Sequence, residues 1–376
     1  MPAVRRDSPD GVAFTVVVTV AVVVGALLML VILALSGAPA IMLLATALAA
    51  LPVGPVVAVY LWLDRYEPEP KLLLAYALLW GAFVATIAAL VVQGIGGFVV
   101  GLTDTTSLAV VAPLSEEASK GLFLFLLLWW RRAELDGVLD GLVYAGMVGV
   151  GFAFTENILY LAAAYGGTDG AGPGGVAGVS TLFVVRCVFS PFAHPLFTAF
   201  TGVGLGIAVG SRNRAVQILA PVGGYLCAVT AHALWNTSTV FGFGSFVLAY
   251  FVLMVPAFVG MVCLAVWARS RERQMLARAL DDAASRGLIP ATDIGWLVDL
   301  RARRVARRHA RTQGGEQAAR AMRDYQQAAI ELGFLHHRLL RGTAPKDWQA
   351  RGQGFLARIQ ANRPGFAFPG QVVPQR

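Results

Sequence analysis

Glu116, Glu117 and Lys120 stand in the middle of an otherwise apolar run, SLAVVAPLSEEASKGLFLFLLLWW, from Ser107 to Trp130. A charge at bilayer depth costs about 2.5–3.5 kcal/mol even on insertion-derived scales, so such groups face a protein interior or a wet cavity and mark a functional site by default. Three more apolar runs carry polar groups. Glu156 follows Phe152 by four residues and is itself followed by Asn157. Arg186, Ser190 and His194 are spaced by four beside Pro191, and His232 and Asn236 are spaced by four within HALWN. A spacing of four puts two side chains on one helix face. Glu116 and Lys120 therefore share a face, with Glu117 about 100° away.

Hydrolysis of an amide needs a base to activate water, a stabiliser for the oxyanion and a proton for the leaving amine. Glu116 or Glu117 is the expected base, with Lys120 holding the other carboxylate. His232 and Asn236 are expected to present donors to the oxyanion, and His194 to orient water or protonate the amine. A zinc version uses the same residues. Glu156, His194 and His232 form a His₂Glu set with an open position, and Glu116 or Glu117 remains the base. The spacing leaves both versions open. Asn157 and Arg186 are expected to support the site, Arg186 as a counter-ion.

Other readings start from the same residues. Carboxylates and histidines inside a bundle also make proton relays, as in an ion-coupled transporter. A scaffold would use them as structural pairs and helix–helix glue. There is no HExxH and no GxSxG, which sets aside the zinc-helix and nucleophile-elbow proteases. No internal repeat is apparent, which weighs against an inverted-repeat transporter.

These residues must be positioned by membrane helices. The chain has 376 residues, 57% hydrophobic and 14% charged, against about 25% charged in soluble domains. From Arg269 onward 20 Lys/Arg face 9 Asp/Glu, a net of +11, and the preceding part has 10 against 13, a net of −3. This predicts a helical bundle over 11–268 between a short N-terminal segment, 1–10, and a basic tail, 269–376. Eight segments have about the 20 apolar residues that a span requires: 11–35, 39–63, 72–102, 107–130, 138–165, 180–210, 214–236 and 244–268. Arginine and lysine occupy alternate connections, at Arg5/Arg6, Arg65/Lys71, Arg131/Arg132, Arg212/Arg214 and Arg269/Arg271/Arg273. That pattern predicts a multi-pass protein of the cell membrane with both termini cytoplasmic.

The first run is longer than a signal-peptide core of about 7–15 residues, so it is read as a retained span; the stretch Ser36–Ala40 is where cleavage would fall. Cys187, Cys227 and Cys263 lie in apolar segments and read as small buried hydrophobes. Gly137/Gly141 and Gly202/Gly206/Gly210 are spaced for close helix contact, and Pro191 and Pro195 should open the sixth helix. The GGTDGAGPGG stretch reads as a loop. In the tail, two stretches have helical periodicity. The run RARRVARRHAR reads as a face toward anionic lipid in preference to nucleic acid. The last dozen residues, with three prolines, read as disordered. Counted at about 1.5 Å per residue from the external ends, Glu116, Glu156, His194 and His232 all fall in the central or external part of the bilayer.

In order, the motifs are EExxK at Glu116–Lys120, FxxxEN at Phe152–Asn157, a histidine at His194 preceded by Arg186, and HxxxN at His232–Asn236. This set resembles the PrsW family of intramembrane proteases, relatives of the CAAX prenyl endopeptidases, over roughly residues 60 to 270. The resemblance implies a membrane protease that cleaves a membrane-anchored protein, in some members an anti-sigma factor. It also implies the name metalloprotease, whereas the CAAX relatives suggest metal-free glutamate catalysis. Those relatives have a histidine where this chain has Glu156, a departure that favours PrsW over prenyl-protein processing.

Overall fold

A computed structural model describes residues 9–35, 38–167, 174–345 and 347–371. Arg5/Arg6, the Ser36–Gly37 step and most of the glycine-rich loop lie outside the described residues. The fold is all-α, with no strand among the described residues, and the chain divides into two compact units.

The first unit, Met1–Asp64 with Glu69–Ala265, contains helices α1 (Pro9–Leu35), α2 (Pro39–Leu63, interrupted at Leu51–Pro52), α3 (Lys71–Phe98), α4 (104–130), α5 (Val138–Gly166), α6 (Gly175–Val209), α7 (Arg214–Val240) and the start of α8 (Phe243–Ser285). Seven of these are long and apolar enough to cross a membrane, which makes this a polytopic membrane bundle. The helix α4, expected as an eighth crossing, forms as expected but carries Glu116, Glu117 and Lys120 and so falls outside the seven.

Helix α5 is central: 83% of its most apolar stretch is buried, and α2, α3, α4 and α6 all pack on it. Glycine makes this approach feasible. A Cβ on Gly141 would lie 2.1 Å from the Gly202 carbonyl oxygen of α6, and one on Gly151 would lie 1.8 Å from the Leu78 carbonyl oxygen of α3. Helix α6 is broken at Ser190–Phe192, where Ser190 leaves helical geometry (φ −126°, ψ 37°), because the ring of Pro191 removes a helix donor. π-Helical turns occur at Trp80–Ala85, Ser107–Val111, Val184–Phe189 and Tyr250–Met254. Such turns are rare and concentrate at functional positions.

Between α2 and α3 the chain is closed by buried acids. The Glu69 amide donates to both carboxylate oxygens of Asp64, at 3.1 and 3.0 Å, and the Tyr144 hydroxyl donates to Glu69 Oε2 at 2.7 Å. Burial pushes the Asp64 carboxyl up to about 7. Burial, and then the nearby Asp140 charge, lift Glu69 well above the carboxylate range.

The second unit, Arg65–Pro68 with Val266–Arg376, is where the sequence suggested a partly helical tail. It holds the end of α8, then α9 (Ile294–Val298), α10 (Leu300–Arg341, broken at Gly314–Gly315) and α11 (Trp348–Asn362). Helix α8 does not stop near residue 268 but runs on to Ser285, since RERQMLARALDDAAS is built from strong helix formers. The unit has its own core, including Leu276, Leu280, Met322, Tyr325, Phe366 and Phe368. Asp293, fully buried, accepts from the Tyr325 hydroxyl at 2.6 Å and from Arg363 Nε at 2.7 Å. Of the last dozen residues, expected to be disordered, 372–376 lie outside the described residues, and before them Phe366 and Phe368 are buried beneath Tyr325, as two aromatics repay the ordering of a proline-rich segment.

Gly141→Val should separate α5 from α6 and lower stability by about 1–3 kcal/mol or more, whereas Gly244→Val, with nothing within 4 Å of the added Cβ, should be silent; thermal unfolding in detergent reads both. For Asp64 the folded state binds a proton that the unfolded chain releases above about pH 4, so stability should fall as pH rises from about 4 to 7. Asp64→Asn should reduce that slope in the same measurement made across pH.

Candidate active site

Four helices bring their ionisable groups to one place: α4 supplies Glu116, Glu117 and Lys120, α5 supplies Glu156, α6 supplies Arg186 and His194, and α7 supplies His232. Glu117 is fully buried and tightly held. Its Oε1 accepts from Lys120 Nζ at 2.8 Å and lies 2.9 Å from His232 Nδ1, and its Oε2 accepts from the Thr198 hydroxyl at 3.1 Å. Glu116 is held more loosely. Gln93 Nε2 donates to Oε1 at 3.3 Å, and Oε2 lies 3.3 Å from Lys120 Nζ and 3.7 Å from His232 Nε2. Glu156 Oε2 meets both Arg186 Nη2 and His194 Nε2, the latter at 2.7 Å. Arg186 Nε also donates to Asn157 Oδ1 at 2.7 Å.

The rings are fixed by aromatic packing. Phe197 stacks on His232 at 4.7 Å, and Phe152 lies 5.1 Å from His194. Lys120 Nζ sits 3.7 Å above the Phe152 ring and 3.1 Å from His194 Nδ1.

These contacts set the tautomers, because a carboxylate only accepts and an ammonium only donates. His232 donates from Nδ1 to Glu117 and leaves its Nε2 lone pair toward Glu116. His194 accepts from Lys120 at Nδ1 and donates from Nε2 to Glu156. With neutral imidazoles, three carboxylates face two cations, an excess of one negative charge. A buried, uncompensated charge is strongly unfavourable, so one further unit of positive charge would balance the cluster and two would reverse its sign.

Eight of the residues singled out from the sequence thus form one network: Glu116, Glu117, Lys120, Glu156, Asn157, Arg186, His194 and His232. Asn236 is placed differently. Its Nδ2 donates to the Leu108 carbonyl at 3.1 Å, tying α7 to the π-turn of α4, and no hydrogen bond joins it to the carboxylates among the described residues. Arg186, Ser190 and His194 do not share a continuous helical face, because the break at Ser190 intervenes and its hydroxyl donates back to the Val185 carbonyl at 2.7 Å. Arg186 and His194 meet at Glu156 all the same.

The set that converges for a metal is Glu116, His194 and His232, whose ligand atoms lie within 4.8 Å of one another. Glu116 stands there in place of the expected Glu156, whose carboxylate is turned to Arg186. The one carboxylate and two imidazoles of this set supply the donor types of a His₂Glu zinc site. Sequence reasoning missed Gln93 and Thr198. Gln93 is a lone amide in an apolar run, and Thr198 follows His194 by four, so the helical spacing rule reaches it.

The fold and the site define a polytopic membrane bundle with a buried glutamate–histidine cluster. A family model described as PrsW family intramembrane metalloprotease matches residues 69–261, just over half of the chain, and the chain belongs to that family. It is similar to a protein named Protease PrsW from Oceanobacillus iheyensis, 32% identical over 133 residues, 35% of this chain and 54% of the relative. The chain thus spans about half the length of the curated relative it matches. No solved structure matches.

Arg186→Met should strand the Glu156 charge and cost about 3 kcal/mol. Arg186→Met combined with Glu156→Gln should recover most of that loss, measured as denaturant unfolding in the same detergent.

Proposed function

We propose that this protein is an intramembrane endopeptidase that cleaves a membrane-anchored protein, with Glu116 as the general base. The observation that carries the proposal is the unequal hold on the two adjacent carboxylates. The Glu117 carboxylate takes three donors between 2.8 and 3.1 Å, whereas the polar contacts of the Glu116 carboxylate are 3.3 Å or longer. A base must turn and exchange a proton with water, and the looser carboxylate can do so. Glu117 positions Lys120 and His232. His232 keeps its Nε2 lone pair beside Glu116, placed to relay a proton. His194 Nε2–H, shared with Glu156, can protonate a leaving amine as Lys120 passes a proton to Nδ1, and Arg186 pairs with Glu156. Asn236 acts here by fixing α7 against α4.

The family description supports a metal. Glu116, His194 and His232 would hold it, with zinc the ion suited to that donor set, and Glu116 would then be a ligand and not the base. When bound, such an ion supplies Lewis-acid polarisation of the scissile carbonyl and of water.

The alternating arginines support a cell-membrane location with both termini in the cytoplasm, which makes the second unit a cytoplasmic domain. The basic first half of α10, with Arg301, Arg304, Arg308 and Arg311 exposed, suits anionic lipid. An anti-sigma-type regulator is the substrate class that the family resemblance brings forward.

Membrane proteomes of cells carrying wild-type protein or Glu116→Gln test the reading. Glu116→Gln should slow release of a shortened membrane protein by about 10²–10⁴-fold while inserting and unfolding as the wild type does. Glu117→Gln should lose both cleavage and stability. Identical proteomes, with every membrane protein at the same length, would end the peptidase reading.

A further inference from the structure

The converging Glu116, His194 and His232 are not open to a metal as they stand. Lys120, fully buried, places its ammonium 3.3 Å from Glu116 Oε2 and 3.1 Å from His194 Nδ1, two of the three positions a metal would use. The third contact, 2.8 Å to Glu117 Oε1, holds the ammonium there, and the Phe152 face closes over it at 3.7 Å. His194 offers no second lone pair, because its Nε2 donates to Glu156 at 2.7 Å. A divalent ion bonded at about 2.0–2.2 Å to the same oxygen and nitrogen would stand against an ammonium in a low-dielectric interior, where like charges repel strongly.

We infer that the Lys120 ammonium and a divalent metal ion at Glu116, His194 and His232 exclude one another, so that Lys120 is the resident cation of this site and the gate on its metal occupancy. Charge supports the exclusion. The three carboxylates are already matched by Lys120 and Arg186 to within one unit, and a dication added beside Lys120 would reverse the sign of the cluster. Lys120 is thus a positioning residue. Its ammonium orders Glu116, Glu117 and His194. Loading a metal requires the Lys120 side chain to leave its place over Phe152. The inference rests on the peptidase reading for its meaning in catalysis, but its test reads metal binding alone.

The test uses the full chain, purified metal-free in detergent, as wild type and as Lys120→Met. Cobalt(II) is titrated and followed by its visible absorption, and zinc content is measured after desalting. Because Lys120→Met leaves Glu117 with one donor fewer, Lys120→Met/Glu117→Gln is made as well; it removes a charge of each sign and keeps all three ligands. The wild type should retain well under one ion per chain. The variants should retain about one, with affinity raised by about 10–100-fold or more, the range by which groups adjoining ligands change metal affinity. Adding His232→Ala should abolish the gain. Wild-type protein that binds one cobalt or zinc ion per chain as tightly as the Lys120 variants would overturn the inference, as would a gain that survives His232→Ala. Absence of any peptidase activity, with the metal result as expected, would instead count against the proposed function and leave the exclusion standing.

Discussion

Three carboxylates at membrane depth must be neutralised from within the protein, and the rest of the bundle follows from that constraint. Lys120 alone touches Glu116, Glu117 and His194, and Arg186 answers Glu156. Lys120 reaches both glutamates within α4 and meets His194 only when α6 packs there, Arg186 reaches Glu156 only when α5 and α6 meet, and α7 joins through His232 on Glu117. The cluster is therefore a specification for helix order as well as a chemical site, since removing one charge leaves others stranded where water does not compensate them.

The close approach of α5 serves this end. Its buried glycines, Gly141 against Gly202 and Gly151 against Leu78, draw α3 and α6 onto it, so that Glu156 stands between the helices carrying His194 and Gln93. The same helix contributes Phe152, whose ring faces Lys120. Packing and electrostatics thus meet on one helix.

Much of this was legible in the sequence. Hydropathy located the helices, and charged residues inside apolar runs located the site, because each such residue has few alternatives. The i, i+4 rule reached too far for Arg186, Ser190 and His194, because it assumes an unbroken helix and Pro191 interrupts this one. For Asn236, sharing a face with His232 does not decide which partner the amide selects, and it bonds the Leu108 carbonyl. Glu156, expected in the zinc set, has its carboxylate on Arg186 and His194, a pairing across helices that sequence spacing does not reveal. In the C-terminal region, composition suggested a loose basic tail, yet a few aromatics, Tyr325, Phe366 and Phe368, suffice to close a core. Average composition does not register such a small number of contacts.

The wide turns at Trp80–Ala85 and Val184–Phe189 have a consequence for how kin of this chain are compared. Each holds one residue more than an ordinary helical turn of the same function, and an inherited single-residue gap there would rotate the following segment by about 100°. In this chain Arg186 lies inside the second of these turns, so a one-residue offset there would turn it away from Glu156.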